Sequence, residues 1–183
     1  MKNQNTALYI LRLALTLLAI TAIMAAALAL VNDITAPYIA QIRHEKTQKA
    51  IAEVLPGGGE EVHCFVDGTG LVSHVYASDI GYAVQVTPVG FDNTITMMVG
   101  VDREGNILGI SIISHTETAG LGAVAAAKNA AGEAFRGQFV GLSGKLAVTK
   151  DGGEVDALTG ATITSRAICE GINAAIACAK ANG

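Results

Sequence analysis

The stretch TITMMVGVDREGNILGISIISH, Thr94 to His115, decides the fold class of this chain. Two apolar, β-branched runs, Thr94 to Val101 and Ile107 to His115, flank the turn formers Asp102-Arg103-Glu104-Gly105-Asn106. That pattern reads as an antiparallel hairpin. Toward the N-terminus, Tyr82 to Thr87, Leu71 to Ala77 and His63 to Asp67 are further short runs of strand type. Toward the C-terminus, Ala123 to Arg136 is alanine-rich and helical, and Lys145 to Thr149 reads as a closing strand. A final helix is expected over Ser165 to Lys180, with Ile168, Ile172 and Ile176 on one stripe. The expected fold is α+β, a mostly antiparallel sheet of five or six strands with flanking helices.

The N-terminal third reads differently. Between Ala7 and Val31 only Arg12, Thr16 and Thr21 are polar. Leu13 to Val31 makes about 28 Å of helix, close to the roughly 30 Å hydrocarbon core of a bilayer. A signal-peptide core is shorter, so a retained anchor is expected rather than a cleaved leader. Lys2 and Arg12 precede it and Asn32-Asp33 follow it, which places the N-terminus in the cytoplasm by the positive-inside rule. Thr35 or Asp33, with Pro37 in the first turn, reads as the start of a stalk helix running to Leu55, stopped by Pro56-Gly57-Gly58-Gly59. The expected organisation is a cytoplasmic N-terminus over 1–12, a transmembrane helix over 13–31, a stalk and linker over 32–59, and an extracytoplasmic domain over 60–183. The 51% hydrophobic content and mean hydropathy of +0.44 come from adding that anchor to a domain of ordinary composition.

Composition excludes several function classes. Lys plus Arg number 12 against 16 Asp plus Glu, and aromatics are 4%, so nucleic-acid binding has neither a basic face nor stacking platforms. One spanning segment excludes a polytopic transporter, and the apolar content excludes disorder. Three cysteines, Cys64, Cys169 and Cys178, are too few for a disulfide scaffold. Cys169 and Cys178 lie nine apart on one expected helix, on opposite sides, and cannot bridge each other. Adjacent strand residues His63 and Cys64 point to opposite faces, so they and His74 make no metal site. No nucleophile elbow, phosphate loop, Cys-x-x-Cys, His-Glu-x-x-His or dinucleotide fingerprint occurs, so neither hydrolytic chemistry nor direct NAD binding is expected.

One segment points to a ligand: Asp156-Ala157-Leu158-Thr159-Gly160-Ala161-Thr162-Ile163-Thr164-Ser165-Arg166. It sets hydroxyls and small residues at a helix entrance, with a base one turn in. Unpaired N–H groups and a partial positive charge there suit an anion. Thr162, Thr164 or Ser165 is positioned to cap the helix, and Arg166 to bond a phosphate. Gly160 and Ala161 leave the approach to the Thr162 hydroxyl unhindered. By spacing alone a plain capped helix start accounts for the same residues.

Asp156-Ala157-Leu158-Thr159-Gly160-Ala161-Thr162 resembles the Asp-x-x-(Ser/Thr)-Gly-Ala-Thr signature of domains carrying covalently attached FMN. His115-Thr116-Glu117-Thr118-Ala119-Gly120-Leu121-Gly122 is similar to that family's His-x-Glu-Thr-Pro-Gly-Leu-Gly element, with Ala119 in place of proline. Motif order and the single anchor most resemble the G subunits of Rnf-type ion-translocating ferredoxin:NAD oxidoreductases. The related C subunits of sodium-pumping NADH:quinone reductases are typically longer.

The resemblance implies FMN joined by a flavin transferase through its phosphate to Thr162, with Asp156 read by the transferase. It also implies hydrogen bonds to the flavin from Glu117 and Thr118 and apolar contacts from Leu121 and Leu158. Thr159, Gly160, Ala161, Thr164, Ser165 and Arg166 would surround the attachment point. The implied function is electron relay within a membrane redox complex, with other subunits as partners. A C-subunit-like component of a sodium-pumping NADH:quinone reductase, a stand-alone membrane-tethered extracellular flavoprotein, and a cofactor-free scaffold module are the alternatives.

Overall fold

Alternation along the fourth strand sets the layering of the domain. Met97, Val99 and Val101 belong to one buried cluster and Met98 to another, as a period of two requires for a strand covered on both faces. The computed structural model describes residues 2–62 and 69–182, with side chains from residue 8 onward. Strands β1 (Glu60–Val62), β2 (Val72–Ala77), β3 (Gly81–Val86), β4 (Thr96–Asp102) and β5 (Ile107–Ser114) form one antiparallel meander in chain order. The β4–β5 hairpin closes where the Asp102 Oδ1 accepts the N–H groups of Glu104 and Asn106, and Gly105 takes φ +90°. The expected strand over His63 to Asp67 lies outside the described residues.

Three helices accompany the sheet: α1 (Lys2–Val54), α2 (Ala130–Gly137) and α3 (Thr162–Asn182). The chain divides into two compact units, Met1–Glu45 and Lys46–Gly183. In the second unit α3 lies on one sheet face, burying Ile168, Ile172 and Ile176 against β3 and β4. The last turns of α1, read from sequence as stalk, cover the other face with Ala50, Ile51 and Val54, followed by Leu55. Gly100 permits that approach, since a side chain there would collide with the Val54 backbone. Fully burying each such aliphatic side chain contributes about 1.5–3 kcal/mol, so the domain has a core on either side of its sheet.

In the first unit α1 is long and apolar enough to cross a membrane, and its large apolar side chains from Leu8 to Val31 are exposed. The hydroxyls of Thr16 and Thr21 donate to carbonyls three or four residues back, which leaves no unpaired polar group on that surface from either threonine. Pro37 stands inside α1 and not at the start of a separate helix. It removes one N–H from the ladder, and nearby the Thr35 hydroxyl donates to the Val31 carbonyl at 2.8 Å.

Two further expectations differ in detail. Ala123 to Arg136 is not one helix but a 3-10 turn over Gly122–Ala126 followed by α2. Asn129 makes the break, capping α2 by accepting the Gly132 N–H. Lys145 to Thr149 forms no strand. Val148 makes a lone parallel bridge to Val155, and the chain then turns through a 3-10 segment, Thr149–Asp151, ending at Gly152 with φ +82°. A side chain at Gly153 would collide with the Ala147 carbonyl, so the tight return of the chain needs glycine there.

Candidate functional site

The first turn of α3 sits at the mouth of a cleft of about 280 Å³. The segment after β5 contributes Glu117, Thr118, Leu121 and Gly122, and the α3 entrance contributes Gly160, Ala161, Thr162, Ile163 and Thr164. Phe91 and Lys150 come from two other loops. Two motifs about forty residues apart in sequence therefore face one space. Gly160, at φ +74°, makes the turn that delivers Thr162, and a side chain there would press on Leu121.

The helix begins without a hydroxyl cap. Its first backbone bond runs from the Ser165 N–H to the carbonyl of Ala161, which puts Ala161 at the cap position. The Ser165 hydroxyl is spent inside the turn, accepting the Leu158 N–H and donating to the Ala161 carbonyl, both at 3.0 Å. The Thr164 hydroxyl donates to Glu117. The N–H groups of Thr162, Ile163 and Thr164 thus have no side-chain acceptor among the described residues, at a helix end of partial positive charge.

Glu117 is only 8% exposed. Its Oε1 accepts the N–H of Phe91 at 2.8 Å and of Asp92 at 3.4 Å, while Oε2 accepts the Thr164 hydroxyl at 2.5 Å. The carboxylate therefore ties the Phe91 loop to α3 and forms the cleft floor. Gly90 and Gly122 pack so tightly on it that a Cβ at either would strike its oxygens. Charge-assisted bonds of this kind are about twice as strong as neutral ones. Around the mouth, Phe91 (65% exposed), Ile163 (50%) and Leu121 (43%) present apolar side chains.

Cations divide unexpectedly. Arg166 does not line the cleft; its Nε and Nη2 each bond a carboxylate oxygen of Asp151 at 2.7 Å. That fork holds the Asp151 carboxyl below its usual value, and the pair lies on the surface. Lys150, one residue earlier, donates instead to the Thr162 hydroxyl oxygen at 3.2 Å.

Residues 90–177, which carry the Phe91 loop, both motifs and most of α3, match the FMN-binding domain family. Over 181 residues the chain is 32% identical to the G subunit of the ion-translocating oxidoreductase complex of Methanosarcina acetivorans, covering 91% of this chain and 93% of the relative. It is also 32% identical to the G subunit of the Na(+)-translocating ferredoxin:NAD(+) oxidoreductase complex of Acetobacterium woodii, over 91% and 90% of the two chains. Against the proton-translocating counterpart of Clostridium ljungdahlii it is 40% identical over 101 residues, about half of each chain. The chain belongs to the G-subunit family of ion-translocating oxidoreductase complexes.

Within this G subunit, the structure gathers Glu117, Thr118, Leu121, Gly160, Ala161, Thr162 and Thr164 around the cleft. Leu158 instead packs against the domain core, Ser165 is buried in the turn, and Thr159 and Asp156 are exposed away from the lining. Asp156 is fixed through its backbone, its N–H donating to Gln138 Oε1 at 2.8 Å. Phe91, Lys150 and Ile163 are the lining residues that the motifs did not indicate. Cys169 is free and buried; burial pushes its thiol up to about 11, and the Asp151 charge adds to that, leaving it inert. Cys178 is disulfide-bonded. His74 lies 2.8 Å from Glu61 through Nδ1, while His63 and Cys64 fall outside the described residues.

Proposed function

We propose that this subunit relays electrons through FMN joined by a phosphoester to Thr162, within an ion-translocating redox complex of the membrane. The observation that carries this reading is the placement of the Thr162 hydroxyl. It lies in the cleft beside three N–H groups at the α3 entrance, and the residues of the second motif face it across that cleft.

The residues present fit the group in two respects. A phosphodiester keeps one negative charge, which the helix N-terminus would hold. Phe91, Leu121 and Ile163 offer apolar surface where a flat ring system would otherwise meet water. Bound there, FMN supplies one- and two-electron redox chemistry, and the chain sets its position and surroundings. The Glu117 carboxylate, already engaged by three donors, would act on the ring through Phe91 and Thr164. Thr118 is the polar side chain of that motif left facing the opening.

An electron relay, as distinct from an ion path, agrees with the relatives. One is named for sodium and one for protons, yet both align with this chain. Lys2 and Arg12 before the span and Asn32-Asp33 after it favour an extracytoplasmic domain. A disulfide at Cys178 suits an oxidising compartment. Ala25, Ala26, Ala27 and Ala29 on α1 permit close packing with helices of partner subunits.

The test is the intact mass of the chain produced together with a flavin transferase, with the site mapped by peptide fragmentation. One FMN on the wild-type chain, absent from Thr162→Ala, supports the reading; a colourless wild-type chain of unmodified mass ends it.

A further inference from the structure

We infer that Lys150 is the residue that neutralises the phosphate at Thr162, and that Arg166, the base which the motif itself supplies, does not. The inference rests on the attachment reading above and adds to it a residue outside both motifs.

Three observations converge on Lys150. Its ammonium is in hydrogen-bond contact with the Thr162 hydroxyl oxygen, the atom that the phosphorus would join. It also lines the cleft, whereas Arg166 does not. Finally, the two bases differ in their partners. Arg166 is held by Asp151 through two bonds, while Lys150 has no carboxylate in ion-pair range among the described residues.

The charged groups nearby sharpen the assignment. Asp151 adjoins Lys150 in sequence but is occupied by Arg166, and Glu117 across the cleft is occupied by Phe91, Asp92 and Thr164. An anion arriving at Thr162 would therefore meet Lys150, the cation among the described residues that lines the cleft, together with the α3 N–H groups. The turn that ends at Gly152 fixes this arrangement. It places adjacent residues on different tasks, with Lys150 toward Thr162 and Asp151 toward Arg166.

Lys150 is exposed, so its replacement does not threaten the core. Full-length chain is produced with a flavin transferase as wild type, Lys150→Ala, Lys150→Arg and Arg166→Ala. Flavin occupancy is followed over time by intact mass, and the phosphorus resonance of the loaded chains is recorded. We expect Lys150→Ala to load about tenfold more slowly, the scale of one charge-assisted bond, and its phosphorus resonance to move. Lys150→Arg recovers both, and Arg166→Ala matches wild type within about twofold, as expected for a surface pair. Wild-type loading and an unmoved resonance in Lys150→Ala overturn the assignment, as does a defect confined to Arg166→Ala. A wild-type chain that gains no mass overturns the attachment reading itself.

Discussion

Two carboxylates hold side chains near the start of α3, Glu117 that of Thr164 and Asp151 that of Arg166, and they illustrate how burial sets the worth of a charge. Glu117 is buried and accepts three donors from two separate segments. Asp151 lies on the surface and accepts one arginine fork. The Asp151 pair joins a carboxylate to a full positive charge, yet water competes for both partners and screens them. At Glu117, removing the acceptor would leave two backbone N–H groups and a hydroxyl without a partner in a packed site. The less conspicuous carboxylate is therefore the one that organises the cleft.

Glu117→Ala breaks that comparison most severely. A loss on the order of 3 kcal/mol is expected from stranded donors and an unfilled space. For a domain of this size that lowers the thermal midpoint by about 6–12 °C, measurable by near-ultraviolet circular dichroism of the detergent-solubilised chain. A midpoint within a degree or two of wild type would show that the carboxylate does not hold the Phe91 loop to α3.

Gly122→Ala tests the same site from outside. The added methyl has to enter space held by the Glu117 carboxylate and the Thr164 hydroxyl, and should cost about 1–3 kcal/mol. If both partners give way without loss, Gly122→Ala and Glu117→Ala will not show the non-additive effects expected of groups in direct contact.

The smallest effect belongs to Asp151→Asn, with a shift in midpoint near the limit of detection at neutral pH. The sign of its pH dependence follows from the depressed carboxyl, held down mainly by the Arg166 hydrogen bonds. Folded Asp151 binds its proton at lower pH than the unfolded chain does, so its contribution is present above the ordinary value of 3.8 and fades as pH falls through the folded value. The gap between wild type and Asp151→Asn should close as the solution is acidified below about 4. A gap that widens on acidification would contradict the pairing.

Much of the scaffold was legible because it rests on short-range rules. Alternation and turn formers marked the β4–β5 hairpin, and the spacing of Ile168, Ile172 and Ile176 marked the buried stripe of α3. Length and the absence of charge marked the apolar span. Less legible was Pro37, since a helix absorbs one missing N–H when the rest of its ladder is intact. The end of α1 was also hidden, because Ala50, Ile51 and Val54 give the same periodicity in a stalk as in a helix packed on a sheet.

The site shows the same division. Both motifs could be found by residue type and order, since a turn needs its glycine at Gly160 and the proposed attachment needs a hydroxyl at Thr162. Which base faces that hydroxyl could not. Arg166 is four residues from Thr162 and Lys150 is twelve, yet Asp151 captures the nearer one. Likewise the reach of Glu117 to the Phe91 loop spans 26 residues and leaves no periodic trace.

The sequence by itself determined the apolar span, the β4–β5 hairpin, the last helix and the presence of two flavin-type motifs, because each depends on neighbours within a few residues. Only the tertiary structure decided that the end of α1 forms part of the core, that Glu117 braces the cleft and that Lys150 rather than Arg166 meets Thr162. Those outcomes depend on side chains brought together from distant segments, where a charge goes to the nearest partner in space and not to the nearest in the chain.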